Sequence, residues 1–339
     1  EHKMGINASP TCTMSFGDEG GATGWLLGNE FDGMRVMFVM MNMARLSVGV
    51  QGLGLAERTL QGALSYANER VQGKVVGTPK EDRTSPIVGH PDVRRMLLDM
   101  RSLTEAMRGI CLMNAVAMDR AGSLADEDAR QAAEDLNELL IPITKAWCTD
   151  MGVEVTSLAI QVYGGMGFVE ETGVSQFFRD ARIAPIYEGT NGIQAMDLVG
   201  RKLPMRSGGV VTDTIADIRA TAAALSADDE LAGIGARLAE ATDALDEATQ
   251  WIFGHAGEIR DVLAGATPYL RMWGLVVGGW VLGKSALAAA KWAADDGPAD
   301  FCAEKVRTAR WFADQHLSTV VGLTARATSG ASLMDEASL

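Results

Sequence analysis

From Phe31 to the C-terminus, apolar residues recur at helical spacing with few interruptions. Gly33 to Gln72 carries a continuous apolar repeat with no proline, enough for a rod of roughly 55–60 Å at 1.5 Å per residue. Lys74 to Gly89 mixes glycine, proline and charge and reads as a loop. Pro91 suits the first residue of a second helix, running to about Met118. A third helix is predicted from Asp126 to Gly164, with an acidic first turn that complements the helix dipole. Pro142 is expected to kink it, and the Gly164-Gly165-Met166-Gly167 turn to end it. A short helix near Ser175–Asp180 precedes a break at Pro185. Another spans about Asn191 to Gly200, with Arg201 and Lys202 at its negative end.

Pro204 to Gly209 reads as a linker. Four more helical segments follow, at about 211–225, 229–263, 267–294 and 298–329. In the second of these, Leu231, Ile234, Leu238, Ala241, Leu245 and Ala248 form a buried stripe. Gly274/Gly278 and Gly279/Gly283 are GxxxG pairs that suit two closely packed helices, with Arg271 and Lys284 bracketing the run. Residues 31–203 and 204–339 thus read as two consecutive helical bundles. Residues 1–30 differ: Thr11 to Phe16 is β-prone and Gly17 to Gly24 is rich in turn formers. Isolated strands cannot form a domain, so this stretch is expected to end a β-domain. Residue 1 is Glu rather than Met, and the chain is expected to begin inside a longer polypeptide.

The 47% of hydrophobic residues suffices for a sizeable core. The net charge of −14 argues against a general nucleic-acid surface, which needs a basic face. An anionic ligand needs only a few placed arginines or backbone N–H groups and stays open. Cys12, Cys111, Cys148 and Cys302 lack zinc spacing and are read as reduced, buried thiols of a cytoplasmic protein. The strongly apolar run Met272 to Gly283 is short for a bilayer, so no stable membrane insertion is expected, and no metal site. His2, His255 and His316 read as surface residues and His90 as a turn residue. Met34, Met37, Met40, Met41 and Met43 cover more than one helix face and read mostly as core, some suited to an adaptable ligand wall.

The stretch Gln161 to Lys202 carries the candidate chemistry. Gly164, Gly165 and Gly167 either end a helix or let another group approach the backbone. Tyr163 and Phe168 beside them read as core aromatics, and Glu170-Glu171 as a solvated turn. Asn191 to Gln194 fits an N-cap with its N3 partner, which puts Glu188 just ahead of a positive helix end. Among Ile183, Pro185, Ile186 and Tyr187, Glu188 is either a desolvated base or a solvated loop carboxylate.

Ile186-Tyr187-Glu188-Gly189-Thr190, with the glycine turn and Arg179-Asp180-Ala181 upstream, resembles the C-terminal signature of the acyl-CoA dehydrogenase family. Ser9 to Cys12, Asn42 to Arg45, Glu69-Arg70 and His90 to Arg95 agree with it. Residues 204–339, with Pro268 to Arg271, resemble the extra C-terminal domain of a larger branch of that family. The implied fold is mainly α: a helical bundle preceded by a remnant of the central β-domain and followed by a second bundle.

The resemblance implies FAD-dependent α,β-dehydrogenation of an acyl-CoA thioester, in the manner of fatty-acid β-oxidation, with electrons passed to an electron-transfer flavoprotein. It makes Glu188 the α-proton base, supported by Arg45, Tyr187 and Gly189. Some branches place the base on the long helix just before the arginine, where this chain has Ala44. Arg70, Gln161, Gly164, Gly165 and Thr190 match flavin-binding positions, several of them reaching across a dimer. Val71 and Gln72 depart from the family's usual flank, and Gly192 replaces a glutamine. Asn42 stands where some relatives place a substrate-facing Asp. A homodimer or a dimer of dimers is implied. Two other readings remain on the same scaffold: a non-catalytic assembly subunit, and an oxidase that passes electrons to oxygen.

Overall fold

The computed structural model describes residues 1–77, 79 and 84–338. Three long helices form the first layer: α1 (Gly33–Glu69), α2 (Pro91–Ser123) and α3 (Glu127–Tyr163). Pro91 opens α2, where its missing N–H costs nothing. Asp126 caps α3, its side chain accepting from the Ala129 N–H at 2.8 Å. α3 runs uninterrupted through Pro142, a residue buried with its neighbours rather than a point of rupture.

α1 and α3 lie parallel and close. A side chain at Gly49 would meet Thr144, and a Cβ at Gly52 would sit 2.6 Å from the Cys148 carbonyl oxygen. A Cβ at Gly152 would in turn lie 2.9 Å from the Gly52 carbonyl oxygen. At the far end of the pair the rings of Tyr66 and Tyr163 stack at 4.2 Å. Tyr163 is therefore packed, as its aromatic character suggests, whereas Phe168 is 90% exposed and takes no part in the core.

The short helices α4 (Val174–Ala181) and α5 (Asn191–Asp197) close this part, and α5 continues into a π-helical turn over Leu198–Lys202. The expected linker is a tight turn in which Arg206, Ser207 and Gly208 all adopt positive φ. Beyond it lie α6 (Gly209–Ser226), α7 (Ala232–Gly254), α8 (Ile259–Ala294), α9 (Ala299–Gln315), α10 (Val321–Thr328) and α11 (Ser332–Glu336). The predicted break before Pro268 falls earlier, between Gly254 and Glu258. Glycine frees the backbone there, while Pro268 is accommodated inside α8. The α7 stripe is buried at all six predicted positions.

α8 joins the first layer. It passes antiparallel to α3, with Gly274 against Trp147 and Arg271 3.7 Å from Glu154. Along α2, Gly278 lies against Ala106 and Val281 against Gly109. The glycine pairs of α8 admit side chains rather than a second helix backbone: a Cβ at Gly274 would lie 2.1 Å from Trp147 Cγ, and one at Gly279 would meet Leu317. The buried core is consequently continuous from Leu53 to Ala327. α1 and α8 are both long and apolar enough to cross a bilayer by length and composition; 78% of the α8 window is buried against other helices, against 33% for α1.

Residues 1–32 form no strand among the described residues, and the one β-contact is an isolated bridge, Val71 to Pro86. A β-prone run such as Thr11 to Phe16 becomes a strand only beside a partner, and nothing in the described chain pairs with it. The segment is tethered at its start, where the Ile6 N–H donates to Asp180 at 2.6 Å. The expected loop after Lys74 keeps only its ends in view, since residues 78 and 80–83 lie outside the described set. Cys111, Cys148 and Cys302 are buried free thiols, but Cys12 is exposed. His2 is exposed, while His316 is half-buried beside Phe312 and 3.5 Å from Asp99; burial lowers its proton affinity.

Candidate active site

The methionines of α1 overturn the expectation that they are mostly core. Met34, Met40 and Met43 are each at least 60% exposed, because no described element covers that side of the helix. Met40, Met43, Ala44, Ser47 and Val48 form one wall of an open groove of about 380 Å³. Tyr187 and Glu188 form the other. Glu188 is exposed at its mouth, so the loop carboxylate is solvated in this chain, facing an apolar wall. The two positions at which the resemblance places a base, Ala44 and Glu188, line the same groove, and only Glu188 can take a proton.

The backbone of this loop is unusual. Glu188 has φ +58° and Gly189 φ +85°, two consecutive left-handed residues. For Glu188 that conformation costs about 1–2 kcal/mol and persists only because the surroundings hold it. They hold it from several sides. The Asn191 N–H donates to the Pro185 carbonyl at 3.0 Å, closing the loop on itself. Gln194, fully buried on α5, donates from Nε2 to the Gly189 carbonyl at 3.3 Å. Any side chain at Gly189 would strike that amide. Tyr187 donates its hydroxyl to Gln51 on α1, and burial raises the phenol's proton affinity.

Arg45 supports the loop from beneath. It is 4% exposed, and its Nη1 donates to Asp197 Oδ2 at 3.0 Å. The Asp197 side chain is 1% exposed and also accepts from Arg201 at 2.5 Å. The pair therefore ties α1 to α5 across the base of the groove, while Arg45 Nε is buried with no partner. Thr190, rather than Asn191, is the N-cap of α5, its hydroxyl accepting from the Ile193 N–H at 3.3 Å. Asn191 is thereby free to turn toward α3. Asn42 does not face Glu188; its amide donates to Glu138 at 3.1 Å, and Glu138 also pairs with Lys202.

Arg70, Gln161, Gly164 and Gly165 assemble elsewhere. Arg70 caps the C-terminus of α1, one turn beyond Tyr66, and Gly164 follows Tyr163, so the stacked tyrosines bring the two together. Along α1 this cluster lies about 37 Å from Arg45. The Arg70 side chain is exposed and has no partner among the described residues. Gly164 needs glycine for its φ of +58°, and Gly167 because a Cβ would lie 2.2 Å from the Ile160 carbonyl oxygen. Gly165 has neither reason: its φ is not positive and nothing lies within 4 Å of an added Cβ. A bare glycine beside a free guanidinium and the exposed Gln161 amide is a donor set suited to phosphate oxygens from outside this chain.

Two participants carry no local signal in the sequence. Gln51 and Lys145 lie inside long helices, and their partners are far along the chain. A lysine amid the apolar run Leu139 to Cys148 was the available clue, since helical spacing buries it.

Residues 32–203 match the family described as acyl-CoA dehydrogenase, C-terminal domain, and residues 214–336 match acetyl-CoA dehydrogenase C-terminal like. The chain belongs to the acyl-CoA dehydrogenase family. Among its relatives is 3-methylmercaptopropionyl-CoA dehydrogenase of Ruegeria pomeroyi, 47% identical over 94% of this chain and 53% of that protein. A broad-specificity linear acyl-CoA dehydrogenase of Mycobacterium tuberculosis is 36% identical over 60% of this chain and 34% of that protein. The chain thus spans about half the length, or less, of these relatives. The fold is shared with an FAD-complexed acyl-CoA dehydrogenase of Bacillus anthracis, at TM-score 0.68 and 18% identity over 87% of this chain and 50% of that one. It is also shared with Caenorhabditis elegans ACDH-11 bound to C11-CoA, at TM-score 0.69 and 19% identity over 86% and 46%.

Proposed function

We propose that this chain carries the catalytic base of an FAD-dependent acyl-CoA dehydrogenase that converts an acyl-CoA to its trans-2-enoyl thioester. One observation carries the reading: Glu188 stands at an apolar groove, on a left-handed loop anchored at Tyr187, Gly189 and Asn191. The methionine wall of α1 offers a deformable apolar surface for an acyl chain. The Glu188 carboxylate removes the α-proton. Its backbone N–H and the loop it belongs to orient the thioester oxygen, because an α C–H is too weak an acid unless the developing enolate is stabilised.

The flavin, when bound, supplies the hydride acceptor for the β-carbon. Arg70, Gln161, Gly164 and Gly165 would hold its phosphates, and Thr190, the N-cap of α5 two residues after Glu188, would contribute to its binding. The separation of about 37 Å between the Arg70 cluster and Arg45 is longer than one flavin dinucleotide reaches. This supports a dimer in which each chain's phosphate-binding end serves its partner's flavin. Electrons then leave to an electron-transfer flavoprotein.

The test is Glu188→Gln in the flavin-loaded protein. Anaerobic flavin reduction by 3-methylmercaptopropionyl-CoA or butyryl-CoA is expected to fall by at least roughly 10²–10⁴-fold, with flavin content unchanged. Reduction at the wild-type rate would remove Glu188 from the chemistry. Rapid reaction of the reduced flavin with oxygen would turn the reading toward an oxidase.

A further inference from the structure

Behind the Glu188 loop lies a polar contact to α3 that the proposed chemistry does not use. The Asn191 side chain spends every hydrogen-bonding position on that helix. Its Nδ2 has two N–H groups for three acceptors within hydrogen-bond distance: the Ala146 carbonyl at 3.1 Å, Thr149 Oγ1 at 3.0 Å and Asp150 Oδ1 at 2.7 Å. Its Oδ1 accepts from Lys145 Nζ at 2.8 Å and faces the Thr149 hydroxyl at 3.4 Å. Lys145 is fully buried, and burying an ammonium group is costly unless the charge is used. No carboxylate forms an ion pair with it among the described residues; the groups that act on it are Asp150 on α3, Arg45 on α1 and Glu188 on the loop.

This placement is selective. Asn191 follows Glu188 by three residues and is the first residue of α5, so fixing its side chain fixes the direction in which the loop leaves the groove. Packing alone needs no charge at Lys145, where an apolar side chain of equal length would fill the same space. The charge instead orients the amide: Lys145 donates only, so it selects the rotamer with Oδ1 inward and Nδ2 toward Asp150. Burial raises the proton affinity of Asp150, while its bond to Asn191 and the charges of Arg271 on α8, Lys145 and Arg182 favour its ionised form.

We propose that Asn191 and Lys145 are positioning residues that fix the Glu188 loop onto α3. The inference rests on Glu188 being the base. α3 then adds a support to those the loop already has from its own Asn191–Pro185 bond, from Gln194 and from Gln51, and a small drift of the carboxylate from the α-carbon is expensive in rate.

The experiment uses the flavin-loaded protein with Asn191→Ala, Lys145→Met and Glu188→Gln in parallel. Flavin content, the Kd for 3-methylmercaptopropionyl-CoA and butyryl-CoA, the anaerobic rate of flavin reduction, and amide hydrogen exchange over residues 186–191 are measured. Asn191→Ala and Lys145→Met are expected to keep flavin and to hold Kd within about twofold. They should slow reduction by roughly tenfold to a hundredfold and speed exchange in the loop. Wild-type rates and unchanged exchange in both variants would overturn the proposal. So would a failure of either to fold, since the contact would then serve folding rather than positioning. If Glu188→Gln alone reduces flavin at the wild-type rate, the base assignment fails, and the exchange measurement still decides whether α3 holds the loop.

Discussion

Two glycines two residues apart on α1 should respond to the same substitution with opposite sign. A Cβ at Gly52 would lie 2.6 Å from the Cys148 carbonyl oxygen, 3.0 Å from its carbon and 3.1 Å from Thr149 Cα. These are backbone atoms of α3, with no rotamer to escape into, so Gly52→Ala must push the helices apart by roughly half an ångström or more. Overpacking of this kind costs about 1–3 kcal/mol. The intrinsic gain of alanine over glycine in a helix returns about 1 kcal/mol. With three backbone contacts the cost belongs at the upper end, leaving a net loss of about 1–2 kcal/mol. At Gly54, exposed in the same helix, nothing lies within 4 Å of an added Cβ. Gly54→Ala should therefore stabilise by up to about 1 kcal/mol. Urea unfolding followed by helical circular dichroism compares the two at constant m-value. A Gly52→Ala chain as stable as the wild type, or a shared sign for both variants, would refute the close α1–α3 crossing.

Other perturbations probe the supports of the groove. Arg45→Met leaves the buried Asp197 carboxylate with Arg201 alone and should cost about 3–5 kcal/mol, largely recovered in Arg45→Met/Asp197→Leu; a loss too small to measure in the single variant would contradict the buried pair. Burial lowers the Lys145 pKa from 10.5 to about 8, so between those values the unfolded chain holds the extra proton. This residue's contribution to stability should accordingly rise as pH climbs from about 8 to about 10.5, and Lys145→Met should lack that slope in urea midpoints measured across the window. Arg70→Ala should weaken flavin retention, by the about 1.5–3 kcal/mol of a charged hydrogen bond, more than it slows reduction; unchanged flavin after extensive dialysis would contradict the phosphate role.

Features set by nearest neighbours were readable before the structure. The start of α3 at Asp126, Pro91 as a helix opener and the α7 stripe each follow from local spacing, and each lies where the pattern placed it, Asp126 serving in addition as the cap. Features that depend on what lies opposite were not. The α1 methionines have the same helical spacing whether covered or bare, so nothing local distinguishes core from groove wall. Asn191 reads as a cap because its type suits one. Only the position of α3 reveals that Thr190 takes that part and releases Asn191. Glu188 was marked by its signature, whereas Lys145 and Gln51 acquire meaning only through residues more than forty positions away.

The seating of Trp147 in the notch left by Gly274 bears on how such chains can be recombined. Residues 32–203 and 214–336 match two separately described families, which suggests interchangeable modules. The indole belongs to the first and the notch to the second. A chimera joining this first stretch to another relative's downstream helices would require a residue without a side chain at that register of α8. Alanine there would force the indole out of a fully buried place on the helix that also carries Lys145 and Asp150. Inheritance of the downstream helices is thereby coupled to that of the helix that anchors the Glu188 loop, and exchange between lineages should succeed only where tryptophan and glycine travel together.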